Sequence, residues 1–294
     1  MKGVLDMSSE VVKYHNDLNT VPMRNWTKEE MDFFFAILSK MKNKGTEKVV
    51  FNKSQLVDLI KYDRREVDRF YKTFENLGHK VSQIYYFEKS SHSMRFMHLF
   101  NEFRVDWNDD YSDVIVTISA SSNFEYILNK FEAEFTQYEL AEFTLIRSTY
   151  AKTMYRLLKQ WRTVGLKKFE ADDFKKLLDI PVSYGVSDIE KRVLAPIKKE
   201  LPVFFKNLKI KKIKANTRGN PVIAYEFRWE KEKVSSWDPN KYDKDTHKPY
   251  SKKIEKLPEW ATNGHIKKED TFLSPEQQAV YQERLKRIRE NKPK

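Results

Sequence analysis

The stretch that most constrains this chain is residues 143–229, where four patterned segments follow in a fixed order. An aromatic-rich helical pattern, FTLIRSTYAKTMYRLLKQW, comes first, and a short second helix, EADDFKKLLDI, follows. A turn, PVSYGVSD, leads into a basic helix, IEKRVLAPIKKEL, and the run closes on a lysine-laden hairpin, LKIKKIKANTRGNPVIAYEFRW. Helical spacing gives way to strand alternation at the hairpin, and a short strand is expected to start at Phe169 ahead of the second helix. Few folds accept that order. It predicts a helix, a helix–turn–helix and a two-stranded wing packed on one core.

The third helix carries the strongest pattern. Asp188, Lys191, Arg192, Ala195, Lys198 and Lys199 recur on one face, while Ile189, Val193, Leu194, Ile197 and Leu201 fill the other. One side therefore packs, and the other offers four cations around a small alanine. Such a helix fits a DNA major groove, which is about 12 Å wide. Pro196 removes a backbone donor and predicts a helix that runs in two parts. The hairpin adds Lys209, Lys211, Lys212, Lys214 and Arg218 around a tip at 216–220. On its return strand Ile223, Tyr225, Phe227 and Trp229 are expected to alternate inward. Ile210 and Ile213 are three apart on the outgoing strand, which predicts a bulge there.

Charge singles out the same region. Residues 140–229 hold 20 Lys/Arg against 9 Asp/Glu, whereas residues 1–139 hold 19 against 22 and residues 230–294 hold 16 against 12. Nearly all of the net +12 thus sits in one segment. A localised basic excess is the footprint of a polyanion-binding surface, because each phosphate neutralised releases counterions.

The first half shows a similar layout without the charge. Thr27 and Glu30 have capping-box spacing, and Met31, Phe34, Phe35, Leu38 and Met41 follow on one helical face. VVF at 49–51 reads as a strand, and a helix begins at Asn52-Lys53-Ser54. Asp63 then caps RREVDRFYKTFENLG, whose apolar face is Val67, Phe70, Tyr71, Phe74 and Leu77, with Gly78 expected to end it. Its other face presents Arg64, Arg65, Arg69 and Lys72 beside Asp68. Residues 80–119 alternate as strands and predict a three-stranded meander. From Leu140 one long helix is expected, with Phe143, Ile146, Tyr150, Met154, Leu157, Leu158 and Trp161 on its buried side and Gly165 beyond its end.

Residues 231–294 are polar and punctuated by proline, and they read as a linker-like tail. Ser274-Pro275-Glu276 marks a helix start near its end, with Tyr281, Leu285 and Ile288 as a narrow apolar stripe. Fold class is therefore α+β: two tandem winged-helix domains, at 1–136 and 137–230, followed by the tail.

Catalytic signatures are missing from the sequence. No phosphate-binding G-x-x-x-x-G-K-[ST] loop occurs, no cysteine is present, and the six histidines form no i, i+4 pair. The His-hydrophobic-His pair of rolling-circle nickases is likewise absent. No apolar run approaches the roughly 18 residues that a membrane span needs, and a cytoplasmic location is expected. A non-enzymatic protein is expected, without cofactor or metal.

At this point the chain resembles the winged-helix, iteron-binding replication initiators of theta-type plasmids. The residues that carry the resemblance are Ser148, Tyr150, Ala151, Tyr155, Leu157, Leu158 and Lys159 in STYAKTMYRLLKQW, then FEADDFKKLLDI, then Lys191 to Glu200 in KRVLAPIKKEL, then AYEFRW. The first half is similar in pattern only, and the tail lies outside the resemblance. The resemblance implies two domains gripping successive grooves of a repeated origin sequence, the second binding more strongly and the first also mediating dimerisation. It implies double-stranded DNA (origin repeats and the chain's own promoter), a second copy of the chain, and a host initiator and replicative helicase as partners, with no membrane or small molecule. Expected DNA contacts are Ser187, Lys191, Arg192, Lys198 and Lys199 on the third helix, and Lys212, Lys214 and Arg218 on the wing. Arg64, Arg65, Arg69 and Lys72 are expected to serve the first domain. A transcriptional regulator without origin activity, a nicking enzyme and a scaffold are the competing readings.

Overall fold

The computed structural model describes residues 10–233 except 24, 61, 63–66, 110–112 and 130–134. Strand β1 (Val11–His15) and a 3-10 turn (Asn16–Thr20) precede helix α1 (Lys28–Met41). Helix α1 begins where the capping box predicts. Thr27 Oγ1 accepts from the Glu30 N–H at 3.2 Å, and the Glu30 carboxylate accepts from the Thr27 N–H at 2.6 Å, satisfying donors that a first turn leaves open. Three consecutive phenylalanines then make α1 the central helix. Phe33 packs on Phe70 and Phe74, Phe34 on Trp26 and Phe100, and Phe35 on Tyr14 and Phe143. The six apolar residues from Phe33 to Leu38 go right round the helix, so this stretch has to be buried, and all six are.

Strand β2 (Val49–Asn52) runs directly into α2 (Lys53–Ile60), and α3 (Val67–Ser82) completes a helix–turn–helix. Asn52 and Gln55 exchange backbone-to-side-chain hydrogen bonds of 2.8 and 2.9 Å at the start of α2. Strands β3 (Tyr85–Lys89), β4 (Met94–His98), β5 (Phe100–Trp107) and β6 (Val114–Ala120) follow. Two expectations are corrected here. Gly78 does not end the helix, because the buried face continues through Val81. A Cβ on Gly78 would sit 3.6 Å from the Phe103 ring, an ordinary packing contact. The three-stranded meander is also divided. Strand β3 pairs only with β4, and β5 pairs with β6, which takes in β2 in the order β2–β6–β5. Leu99, 1% exposed, turns inward between β4 and β5 and separates the two sheets.

Helix α4 (Glu125–Asn129) leads to strand β7 (Phe135–Glu139), which pairs antiparallel with β1. The single helix expected from Leu140 is two helices, α5 (Leu140–Leu145) and α6 (Thr149–Lys159). Ile146 is extended between them, and the break is stabilised by caps. Ser148 Oγ accepts from the Ala151 N–H at 3.3 Å, and the Glu200 carboxylate accepts from the Arg147 and Ser148 N–H groups at 2.7 and 3.2 Å.

The charged residues of α6 do not face water. Lys152, Arg156 and Lys159 are all buried. Lys152 donates to Asp32 in α1 and to the Phe143 carbonyl at 2.5 Å, while Lys28 reaches the other Asp32 oxygen at 2.5 Å. Arg156 lies 4.8 Å over the Phe35 ring. Lys159 meets Glu142 at 3.1 Å and Glu232 at 2.7 Å, and Tyr155 donates to Glu142. Ionic contacts thus join α6 to the first half on one side, and Glu200 joins it to the second half on the other.

The second half is β8 (Leu166–Glu170), α7 (Ala171–Leu177), a helical run over 186–200, a 3-10 turn (Leu201–Val203), β9 (Lys209–Lys214) and β10 (Val222–Arg228). The wing is three-stranded in the order β8–β10–β9, since Phe169 belongs to a strand that pairs with Tyr225. Tyr225, Phe227 and Trp229 are buried as expected, but Ile223 is 43% exposed. The register shift falls between Val222 and Ala224 on the return strand, so Ile223 is the extra residue and the outgoing strand carries no bulge.

Gly165 closes this half against its own end. Its φ is +73°, and a Cβ there would stand 2.6 Å from the Trp229 carbonyl oxygen. Gly165→Ala is expected to cost about 1–3 kcal/mol. An unchanged urea midpoint would show that the backbone relaxes freely at this point.

Candidate nucleic-acid interface

The third helix of this half, the candidate recognition helix, is built in three continuous pieces: α8 (Val186–Asp188), a π-helical segment (Ile189–Leu194) and α9 (Ala195–Glu200). Pro196 explains the change of register. It has no N–H to give, and its ring crowds the carbonyl four residues back. Widening the turns ahead of it relieves both problems, and the Ala195 N–H bonds to the Glu190 carbonyl, five residues back. The two-part helix expected from Pro196 is therefore not found: the run stays continuous and absorbs the proline through π-turns.

Burial divides this helix as the sequence pattern implies. Ile189, Val193, Leu194, Ile197 and Leu201 are buried. Ser187, Lys191, Arg192, Ala195, Lys198 and Lys199 are exposed. Lys214 and Arg218 on the wing are exposed and Lys212 is half-buried, and Glu190 links Lys198 of the helix to Lys212 of the wing. The exposed Val182 and Val186 flank Ser187 at the helix start, and such apolar groups suit thymine methyls.

The cations on this surface are not equivalent. The Arg192 guanidinium lies 5.2 Å from the Tyr184 ring centre, 3.4 Å from the Tyr184 hydroxyl and 3.5 Å from an Asp188 oxygen. It is held in place by neighbours from the turn before it. Lys198 Nζ lies 2.5 Å from Glu190, and Lys212 Nζ meets the other Glu190 oxygen. These two ammonium groups hold the Glu190 carboxyl below the usual carboxylate range. Lys191, Lys199, Lys214 and Arg218 have no carboxylate at ion-pair distance among the described residues. Sequence reading missed both Tyr184 and Glu190. Tyr184 lay in a turn bracketed by Pro181 and Gly185, and nothing in the spacing of Glu190 marks its contact with a wing strand.

In the first half the picture is weaker. Arg69 and Lys72 are exposed on α3, with Arg69 paired to Glu29 at 3.0 Å. Both line a cleft of about 400 Å³ with Thr27, Glu29, Glu30, Thr73 and Asn76. Its mixed charge agrees with the acidic balance of this half. Arg64 and Arg65, the Asp63 cap and the helix expected in the tail lie outside the described residues.

The chain matches two domain families, described as "Initiator Replication protein, WH1" over residues 11–159 and "Initiator Rep protein, WH2" over residues 170–229. It is 32% identical over 201 residues to a protein of Bifidobacterium longum named "Probable replication protein rep". That similarity spans 66% of this chain and 65% of the relative. Its fold is similar to the crystal structure of Pi initiator protein in complex with iteron DNA, with a TM-score of 0.57 and 11% sequence identity. The structural likeness covers 76% of this chain and 97% of that one.

Proposed function

Because this chain belongs to the initiator replication protein family, with both of its winged-helix domains, we propose that it initiates plasmid replication by binding repeated duplex DNA at the origin. The observation that carries this reading is the recognition helix, whose exposed face joins Arg192 to three lysines and continues onto a basic wing. The helix is the right diameter for a major groove, and wing lysines reach flanking phosphates in such a pose. Binding and opening of the origin need no bond chemistry from the protein, so it acts without enzymatic activity, in the cytoplasm where plasmid DNA lies. A second copy, the host initiator and the replicative helicase are its protein partners, and its own promoter is a second DNA target.

The sequence division at 136/137 and the family spans differ over residues 137–159, the α5–α6 segment. Its ionic ties run to both halves, so we assign α6 as the joint between a first domain that binds DNA weakly and a second that binds it strongly. One groove per domain at a spacing of about 10.5 bp predicts direct repeats of roughly two helical turns beside the gene.

Arg192 is the first residue to test. Arg192→Ala is expected to lower affinity for the repeat by about 1–3 kcal/mol and to relax specificity at one base position. Lys191→Ala and Lys199→Ala are each expected to reduce the salt slope by about 0.9, without changing sequence preference. Mobility-shift titrations against the native repeat and a panel of single-base variants measure both. Unchanged affinity and specificity in Arg192→Ala would remove the recognition helix from the DNA interface.

A further inference from the structure

A carboxylate in the middle of a cationic surface calls for a physical reason. Glu190 sits in the π-helical segment, with one oxygen on Lys198 of the same helix and the other on Lys212 of β9. The strand register explains how Lys212 arrives there. It stands opposite the buried Tyr225, on the face of the wing that looks toward the helices, whereas Lys211 stands opposite Glu226 on the outer face. The Glu190, Lys198 and Lys212 side chains are 36%, 46% and 30% exposed. Pairs as wet as these contribute little to stability. Their consequence lies elsewhere: one residue spans the helix and the wing, and it occupies two ammonium groups that would otherwise meet phosphate.

Resting on the DNA-binding reading above, we infer that Glu190 is a positioning residue that sets specificity, tying the wing to the recognition helix and masking Lys198 and Lys212 from unrelated DNA. Non-specific duplex binding is almost wholly a matter of phosphate contacts, so withholding two lysines weakens it directly. Binding to the correct repeat also draws on base contacts, and it gains from a wing already held in register with the helix. The same carboxylate therefore lowers affinity for wrong DNA more than for right DNA. The ratio between the two is the quantity on which an origin-binding protein depends.

The test compares the full-length protein with Glu190→Gln on the native repeat and on a scrambled duplex across a salt series. On scrambled DNA the variant is expected to bind at least several-fold more tightly, with a salt slope steeper by about 0.9–1.8, one or two additional phosphate contacts. Affinity for the repeat should change less, so the specificity ratio falls. Glu226→Gln makes the same charge change on β10, where Glu226 pairs with Arg228 of its own strand, and it should leave the slope near that of the wild type. In a background of Lys198→Ala and Lys212→Ala, Glu190→Gln should add nothing further. A slope unchanged in Glu190→Gln, an equal effect from Glu226→Gln, or a full effect in the lysine-less background would each overturn the inference while leaving DNA binding intact. A wild-type protein without salt-sensitive duplex affinity would overturn the DNA-binding reading, and this inference with it.

Discussion

Asp32→Asn is expected to destabilise the fold by about 3–5 kcal/mol at pH 7, the usual result of removing one partner from a buried ion pair. Asp32 and Lys152 are both essentially inaccessible to water. Burial lowers the Lys152 pKa to about 8, against the pull of Asp32, which acts to raise it. Without the carboxylate, an ammonium remains buried beside the Phe143 carbonyl and ring, and its pKa falls further. The sign of the pH dependence follows. Between the folded pKa and 10.5 the unfolded chain binds more protons than the folded one, so stability rises with pH in that window. The window opens at lower pH in the variant than in the wild type, and the deficit should shrink between pH 7 and pH 9. Urea midpoints at the two pH values measure it. A deficit of the same size at both would mean that a buried charge is not its cause.

The second large effect is expected at Phe174, which is fully buried in α7. Its ring stacks on Tyr225 at 4.2 Å and lies 6.2 Å from Phe227. Both partners are on the central strand of the wing sheet, so this ring ties the first helix of the helix–turn–helix to the wing. Phe174→Ala should cost about 3–5 kcal/mol through lost burial and the cavity left behind. For a chain of this size that corresponds to a fall in Tm of roughly 6–20 °C. DNA binding should fail with the same midpoint, because the recognition helix packs on the same core. A thermal melt within about 2 °C of the wild type, outside that range, would show that the second half closes over the gap.

Much of this architecture was legible in the residues because it depends on local chemistry. The Thr27 capping box and the buried face of the recognition helix are each settled within a few residues, and sequence spacing reports such features directly. What spacing could not report is pairing across long separations. Strand β7 was not read from the sequence, although it pairs with β1, and the meander divided because Leu99 found a buried place that no local rule anticipates. The motif residues Ser148 and Glu200 carried the family resemblance. In the structure they cap one helix from two directions.

The electrostatic divide was also half visible. Counting charges located the basic segment, but counting treats every lysine alike. Lys152 and Lys159 belong to that excess and are buried against Asp32 and Glu142, while Lys198 and Lys212 share Glu190. By itself, the sequence determined the helix–turn–helix and hairpin order of the second half, the face of its third helix that packs and the segment that holds the positive charge. Only the tertiary structure decided which of those charges face solvent unpaired. An ion pair needs two atoms within about 4 Å, and when its partners come from different elements that distance exists only after the chain has folded.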